Sequence, residues 1–462
     1  MAWLTGWNYR KAVTITNAGS VLSDYQVLMT ADTASLINAG KMRSDCGDIR
    51  FTDTDGSFLL NYWIESGCNT TSTKIWTKIY SVPIGAKTIY LYYGNATPPS
   101  DGFGSNGTNT FIFFDDGEGK TPGSNLTTGG WTNVTYGSYA NDRAYSGSIS
   151  LKLDAPGTII GGAYQTVTKP TPNSWILETK VYDLMSGGTV DYGQFGIDNT
   201  STREIGLKWE KNISATNYGY IVDGTKITTG ITRSVGWHTF RIVYDGSNLS
   251  LFIDGIQVKS PSAYSDFTYR LRILDQDNNG VWFDNIIYRK YAPPEPTSSV
   301  STTEELPIGY LDIYSTPTDA DIYTDGTFRG RTHSLLSLPI GSYNLRVSKT
   351  GYADYTETIV ITEGFTLYRS YALISLSNIT ATDITLGHTT PCTEGTCIVT
   401  VDVTWTNMGT GSGDFVPNIK IDNIVQAPVY TSQSLGPGAS VPKSFTVVGL
   451  PIGAHTICPD PN

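Results

Sequence analysis

Short runs of alternating apolar and polar residues, each closed by Gly, Asn, Asp or Pro, recur along this chain and constrain it more than any other feature. Side chains on a strand alternate between faces with a period of two, whereas an amphipathic helix repeats every 3.6 residues. Only Thr33 to Met42 carries the spacing of a short helix. Val399-Thr400-Val401-Asp402-Val403-Thr404-Trp405-Thr406-Asn407 alternates strictly, and Asp53-Thr54-Asp55-Gly56, Asp254-Gly255 and Asp325-Gly326 are hairpin-turn sequences. The expected fold class is all-β, with four β-sandwich or jelly-roll modules in line.

The 462 residues suffice for about three to five domains, each able to bury a core without disulfides. With 31 basic and 42 acidic residues the net charge is −11. No basic patch is available to neutralise phosphates, so a nucleic-acid partner is not expected. Charged residues are only 16 % of the chain, and Thr, Ser, Gly, Tyr and Asn take their place, as in β-rich exported proteins. No apolar run reaches the roughly eighteen residues that span a bilayer, so membrane insertion is not expected. Met1-Ala2-Trp3 leads straight into the first module, and Pro461-Asn462 follows closely on a last strand. Neither a signal peptide nor a terminal anchor is therefore expected.

Five segments follow. Residues 1–115 hold D-I-R-F-T-D-T-D-G from Asp48, L-L-N-Y-W-I-E to Glu65 and I-Y-L-Y-Y-G-N to Asn95, with Trp7-Asn8-Tyr9-Arg10-Lys11 upstream. This set resembles the family called domain of unknown function 2341, which implies a module of exported, multi-domain surface proteins. Residues 116–292 follow F-I-F-F-D-D-G-E-G, which begins at Phe111. They contain Gly236-Trp237-His238-Thr239-Phe240-Arg241-Ile242-Val243-Tyr244 with L-F-I-D-G after it, and close with V-W-F-D-N-I-I-Y. The signature resembles concanavalin-A-like jelly rolls, including laminin-G-like and carbohydrate-binding modules. Ala292-Pro293-Pro294-Glu295-Pro296 and the Ser/Thr run behind it mark 293–308 as an extended Pro/Thr linker. Residues 309–373 read G-Y-L-D-I-Y-S-T-P-T-D-A-D-I-Y-T-D-G, then L-P-I-G-S-Y-N-L-R-V-S-K-T-G-Y. They resemble the PEGA domain, a small surface-associated β-sandwich, although Arg331-Thr332-His333 replaces the usual Thr-Pro step. Residues 374–462 resemble archaeal immunoglobulin-like modules of the CARDB type.

Chemistry was sought as convergent groups. His238, His333, His388 and His455 are dispersed, each in a strand or turn, and no Ser–His–Asp set or Cys–His pair shows a spacing signal. The paired acids of jelly-roll glycosidases are not matched by Glu178 with Asp183 or by Glu204 with Glu210. The chain therefore reads as no enzyme. The resemblance to carbohydrate-binding jelly rolls implies a structural calcium as cofactor, held by Asp115, Asp116 and Glu118 after the first strand and Asp284 in the last, all hard oxygen donors. The alternative is solvated turn carboxylates. For glycan binding the candidates are Trp209, flanked by charges in L-K-W-E-K, and Tyr220, while Trp175 and Trp237 are assigned to the core.

Cys46 with Cys68 and Cys392 with Cys397 are expected as disulfides, the alternative being buried free thiols, and Cys458 is left over. Nine sequons mark Asn69, Asn95, Asn106, Asn125, Asn133, Asn199, Asn212, Asn248 and Asn378 for glycosylation. The functional expectation is a non-enzymatic adhesive or structural protein displayed outside a microbial cell or on a virion. Its partners would be glycans, a cell-surface polymer or copies of itself. A scaffold subunit of a filament, sheath or virion and a secreted carbohydrate-active enzyme with accessory modules are the alternatives.

Overall fold

Period-two alternation becomes stacked, almost wholly antiparallel sheets in the computed structural model of the protein, with Ile308–Thr316 and Thr366–Ala372 as a parallel pair. It describes residues 3–156, 159–185, 191–200, 202–211, 214–276, 279–374, 376, 379–388, 396–422, 424–426, 432–451 and 454–460. The fold is all-β. The chain divides into two compact units, Met1–Glu305 and Leu306–Asn462.

The first unit opens with a small sandwich. One sheet orders Thr297–Glu305, Tyr9–Asn17, Gly85–Tyr93, Arg50–Thr52 and Leu59–Leu60, and the other Leu22–Ala31, Thr73–Val82 and Tyr62–Ser66. Val13, Ile15, Val27, Phe51, Ile75, Ile89 and Leu91 alternate inward and form its core. The helix expected at Thr33 to Met42 is shorter, Thr33–Asn38, capped by the Asp32 carboxylate on the Ser35 N–H at 2.9 Å.

The stretch expected as a free linker is in part a strand. Thr297–Glu305 runs antiparallel to Tyr9–Asn17, with Arg10 opposite Glu305 and Thr16 opposite Thr297. An edge strand needs few apolar residues, and Thr is a good strand former. Val300 packs on the core, and the far end is held by Arg10–Glu305 at 2.7 Å and Lys41–Glu304 at 2.6 Å.

Cys46 and Cys68 are bridged, with Cα atoms 6.1 Å apart across a sequence separation of 22. Replacing both with Ser is expected to cost about 3 kcal/mol, because the bridge restricts the unfolded chain. Calorimetry of the double variant checks this, and an unmoved first-module transition would count against it. Cys392 and the Cys397 side chain lie outside the described residues. Cys458 is an exposed free thiol.

The larger sandwich follows. Its eight-stranded sheet runs Gly137–Ala140, Ser150–Leu153, Val281–Lys290, Trp175–Asp183, Gly236–Tyr244, Asn248–Ile253 and Ile256–Ala263, with Phe113–Asp115 also paired to Val281–Lys290. The facing seven-stranded sheet runs Thr225–Thr232, Ser214–Val222, Glu204–Glu210, Tyr192–Asp198, Arg270–Asp275, Gly161–Thr166 and Thr132–Thr135. Trp175, Phe195, Leu207, Phe240, Leu251, Ile273 and Phe283 fill the space between them. Trp63, Trp76, Phe111, Phe114 and Ile287 join this sandwich to the first as a separate apolar cluster.

In the second unit, Ser334–Pro339, Ile308–Thr316 and Thr366–Ala372 form one sheet, and Thr327–Arg331, Asp321–Thr324, Gly341–Ser348 and Tyr355–Ile361 another. Leu311, Ile313, Ile322, Leu345, Val347 and Ile359 are buried between them. The last module is built on Ile379–His388, Thr396–Asn407 and Ser440–Pro451, with Val401, Val403, Trp405 and Phe445 buried.

Candidate functional site

Along Glu204–Glu210 the core takes Ile205, Leu207 and Trp209, so Glu204, Gly206, Lys208 and Glu210 point to the opposite face. Tyr192, Gln194 and Asp198 do the same on the neighbouring strand, and Arg270 and Arg272 on the next. The outer face of the seven-stranded sheet is thereby polar. It holds a recess of about 250 Å³, lined among others by Tyr192, Gln194, Glu204, Lys208, Glu210 and Lys226.

Its charges are mutually satisfied. Asp198 accepts from Arg270 at 2.8 Å and from Arg272 at 3.2 Å, and Arg272 also bonds Glu204. Glu210 pairs with Lys208 at 2.6 Å and Lys226 at 2.9 Å. Burial pulls the Lys208 ammonium down from its ordinary range, in part offset by Glu210. Burial pushes Glu210 up, but its two ammonium partners outweigh this and hold it below the usual carboxylate range. Glu204 and Glu210 are six residues apart on one strand, about 20 Å at 3.3 Å per residue. Paired glycosidase acids stand within about 9.5 Å.

Two polar atoms of this face have no partner among the described residues. Gln194 is 1 % exposed; its Oε1 accepts from the Tyr192 hydroxyl, and its Nε2 donates to nothing. Arg272 Nε is likewise buried and unpaired. The strand opposite makes room for that amide with Gly206, where a Cβ would stand 2.2 Å from Gln194 Nε2. A buried donor without an acceptor is costly, and in native proteins it commonly marks a place where something else binds.

The acid cluster resolves into separate roles. Asp115 is a brace: its oxygens accept from the Gly117 N–H, Trp131 Nε1 and the Tyr139 hydroxyl, the last two at 2.8 Å. Glu118 holds the Ser148 and Ile149 N–H groups, each at 2.7 Å. Asp116 and Asp284 remain. Asp284 is fully buried and accepts from the Tyr145, Ser146 and Asn285 N–H groups. Burial raises Asp284 to about 7, and the Asp116 charge adds to the rise. Burial likewise lifts Asp116 to about 6. Among the described residues neither is held in an ion pair, although Lys180 is the cross-strand neighbour of Asp284. Among the described residues no three His, Cys, Asp or Glu side chains converge as a ligand set. A cation here would take these two carboxylates and complete its oxygen shell with backbone carbonyls. By charge and donor type the pair fits a hard cation.

Sequence reasoning missed one constellation. Ser234 Oγ lies 3.2 Å from His238 Nε2, and His238 Nδ1 lies 2.7 Å from Asp254. The order is that of a hydrolytic triad, but Nε2 is also 2.9 Å from the Ser234 carbonyl oxygen. The ring thus spans the Ser234 backbone carbonyl and the Asp254 carboxylate. The arrangement clamps the turn before Gly236–Tyr244. Its only sequence signal is the hairpin that sets Asp254 against Thr239.

Trp209 does not face solvent: it is 1 % exposed, between Tyr218 and Phe240. The charges beside it point to the other side of the sheet. Tyr220 is half-buried against the core edge. Trp175 is in the core, but Trp237 is on the outer face of the eight-stranded sheet. Asn69, Asn106, Asn125 and Asn133 are exposed. Asn95, Asn199 and Asn248 are half-buried, with the Asn248 amide engaged by Asp245. Asn212 and Asn378 lie outside the described residues.

Comparison with known proteins places two stretches. Residues 45–134 match the model of a domain of unknown function, DUF2341, and residues 308–375 match the PEGA domain. No curated protein matches the chain. Among solved structures, a carbohydrate binding module from Bacillus subtilis aligns at 10 % identity and a TM-score of 0.24, over 34 % of this chain and 98 % of that one. A beta-1,3-glucanase from Mycobacterium marinum aligns at 14 % and 0.26, over 38 % and 98 %. The binding domain of botulinum neurotoxin serotype D aligns at 12 % and 0.25, over 66 % and 78 %.

Proposed function

We propose that this chain is a non-enzymatic display protein, carried outside a microbial cell or on a virion. In this reading the larger sandwich is a jelly roll that binds a glycan in the recess on its seven-stranded sheet. The unpartnered Gln194 amide beside Arg272 carries the proposal. A sugar hydroxyl is the complementary acceptor, and Tyr192 with Lys208 and Glu210 supplies the remaining polar contacts. Asp116 and Asp284 would hold calcium as a structural ion, which supplies the positive charge that two buried carboxylates lack. The PEGA-like module and a last, immunoglobulin-like module would act as spacers.

The test is a glycan array followed by titration of the best ligand. Gln194→Leu removes the amide while keeping its volume. It is expected to weaken binding about tenfold, the discrimination typical of one buried hydrogen bond, with a modest fall in melting temperature because the Tyr192 hydroxyl loses its acceptor. Equal binding by the variant, or no bound glycan on the array, overturns the assignment.

A further inference from the structure

Trp237, Tyr182 and Trp282 stand opposite one another on three neighbouring strands of the eight-stranded sheet. Their rings meet edge to face, 5.4 Å apart for Trp237 and Tyr182 and 6.0 Å for Tyr182 and Trp282. Tyr145, 44 % exposed, adds a fourth ring 5.9 Å from Trp237. None of the four belongs to the core between the sheets.

Basic groups lie on these rings. The Arg143 guanidinium is 4.6 Å from the Tyr182 centroid and 4.8 Å from that of Trp282, and Lys180 Nζ is 5.0 Å from that of Tyr145. Among the described residues neither cation has a carboxylate partner. Lys180 donates to the Thr239 hydroxyl at 2.9 Å, and Arg143 Nε is buried with no acceptor. In a chain of net charge −11 this is unexpected, and the acids close by are occupied. Asp142 accepts from Trp282 Nε1, Glu65 from Trp76 Nε1, and Glu295 is bound by Arg289. Glu178 stands 3.8 Å from Arg241 Nε, which has no hydrogen-bond partner of its own. The same face leads into a cleft of about 610 Å³ against the first module, where Lys180, Arg241 and Arg289 are among the lining residues.

We propose that this face, from the aromatic ladder to the cleft, binds an acidic polysaccharide, a chain of uronate-bearing sugar rings. Trp237 and Tyr145 offer ring faces to the apolar side of a sugar, while Arg143 and Lys180 meet its carboxylates by charge-assisted hydrogen bonds. The strip advances about 13 Å along the strand from Tyr182 to Glu178, so more than one sugar residue is contacted. The site is on the sheet opposite the recess described above and does not depend on it.

The test is affinity electrophoresis and calorimetric titration of the full chain with polygalacturonate, with neutral dextran and an oligodeoxythymidine as comparisons. Polygalacturonate is expected to bind at low salt and to weaken as salt rises. Arg143→Ala with Lys180→Ala is expected to reduce affinity about tenfold or more, and Trp237→Ala several-fold. Lys180→Glu reverses one half-buried charge without removing a ring of the ladder, and it should also abolish binding in a variant shown by its melting curve to be folded. Failure of the wild-type chain to bind polygalacturonate overturns the proposal, as do equal binding by the folded double variant and tighter binding to the oligodeoxythymidine.

Discussion

Replacing Arg233 with Met is expected to destabilise the larger sandwich by about 3–5 kcal/mol, the usual consequence of removing one member of a buried ion pair. Arg233 bonds Asp183 through Nε at 2.8 Å and Nη2 at 2.7 Å, and Asp191 through Nη1 at 2.8 Å and Nη2 at 3.1 Å. All three side chains are essentially buried. Asp183 ends a strand of the eight-stranded sheet, whereas Asp191 and Arg233 adjoin strands of the seven-stranded one, so the clamp ties the two layers at one end. Burial alone would lower the guanidinium, yet its bonds to both carboxylates raise it above the ordinary arginine value. Removing it leaves two buried negative charges facing each other. Calorimetry should show the sandwich's transition falling by about 10 °C, using the usual relation between free energy and melting temperature for a domain of this size. Adding Asp183→Asn and Asp191→Asn to the Met variant should restore much of the loss. A fall of no more than a degree or two would mean that water reaches the clamp and the attribution is wrong.

Chelation is expected to make stability fall as pH rises, and calcium to abolish that fall. The sign follows from the folded-state values. Asp284 at about 7 and Asp116 at about 6 are both above the ordinary aspartate value of 3.8. Between pH 4 and pH 7 the folded state therefore holds protons that the unfolded chain has released, and stability is lost as pH rises through that window. The loss is on the order of 3 kcal/mol, allowing for the coupling of the two groups. Calcium bound there would keep both carboxylates ionised, so the slope would vanish and the melting temperature would climb with calcium concentration. Melting curves at pH 5 and pH 8, each with chelator or millimolar calcium, read both effects. Asp116→Asn should flatten the pH response and weaken the calcium response together. Curves that superimpose with chelator and calcium at both pH values would remove the cation from this site.

Much of the fold was legible because strand alternation is a local signal. The PEGA-like stretch and the hairpin around Asp53 to Gly56 needed only their own residues. The errors come from reading that alternation incompletely. In L-K-W-E-K the charges beside Trp209 suggest exposure, but neighbours on a strand face opposite ways, and Lys208 and Glu210 outside imply Trp209 inside. The same rule places Trp237 out of phase with Phe240 and Ile242, hence away from the core. Other features are not local at all. Asp183 and Arg233 are 50 residues apart, and no spacing announces that they meet. Thr297–Glu305 has one core-facing apolar residue, Val300, so its sequence resembles that of an unstructured Thr/Ser run. Its partner strand is nearly three hundred residues upstream.

That late strand governs how the first unit responds to force. Because the pairing is antiparallel, Arg10 and Glu305 sit at one end of the ladder and Thr16 and Thr297 at the other. The chain enters and leaves the unit at the same end. Tension applied across residues 9 and 305 peels the hydrogen bonds one after another instead of shearing them all at once. Resistance is then set at the first rung, where Arg10–Glu305 and Lys41–Glu304 stand as latches. Until those latches open, everything between the two strands, the whole larger sandwich included, is a closed loop that carries no load.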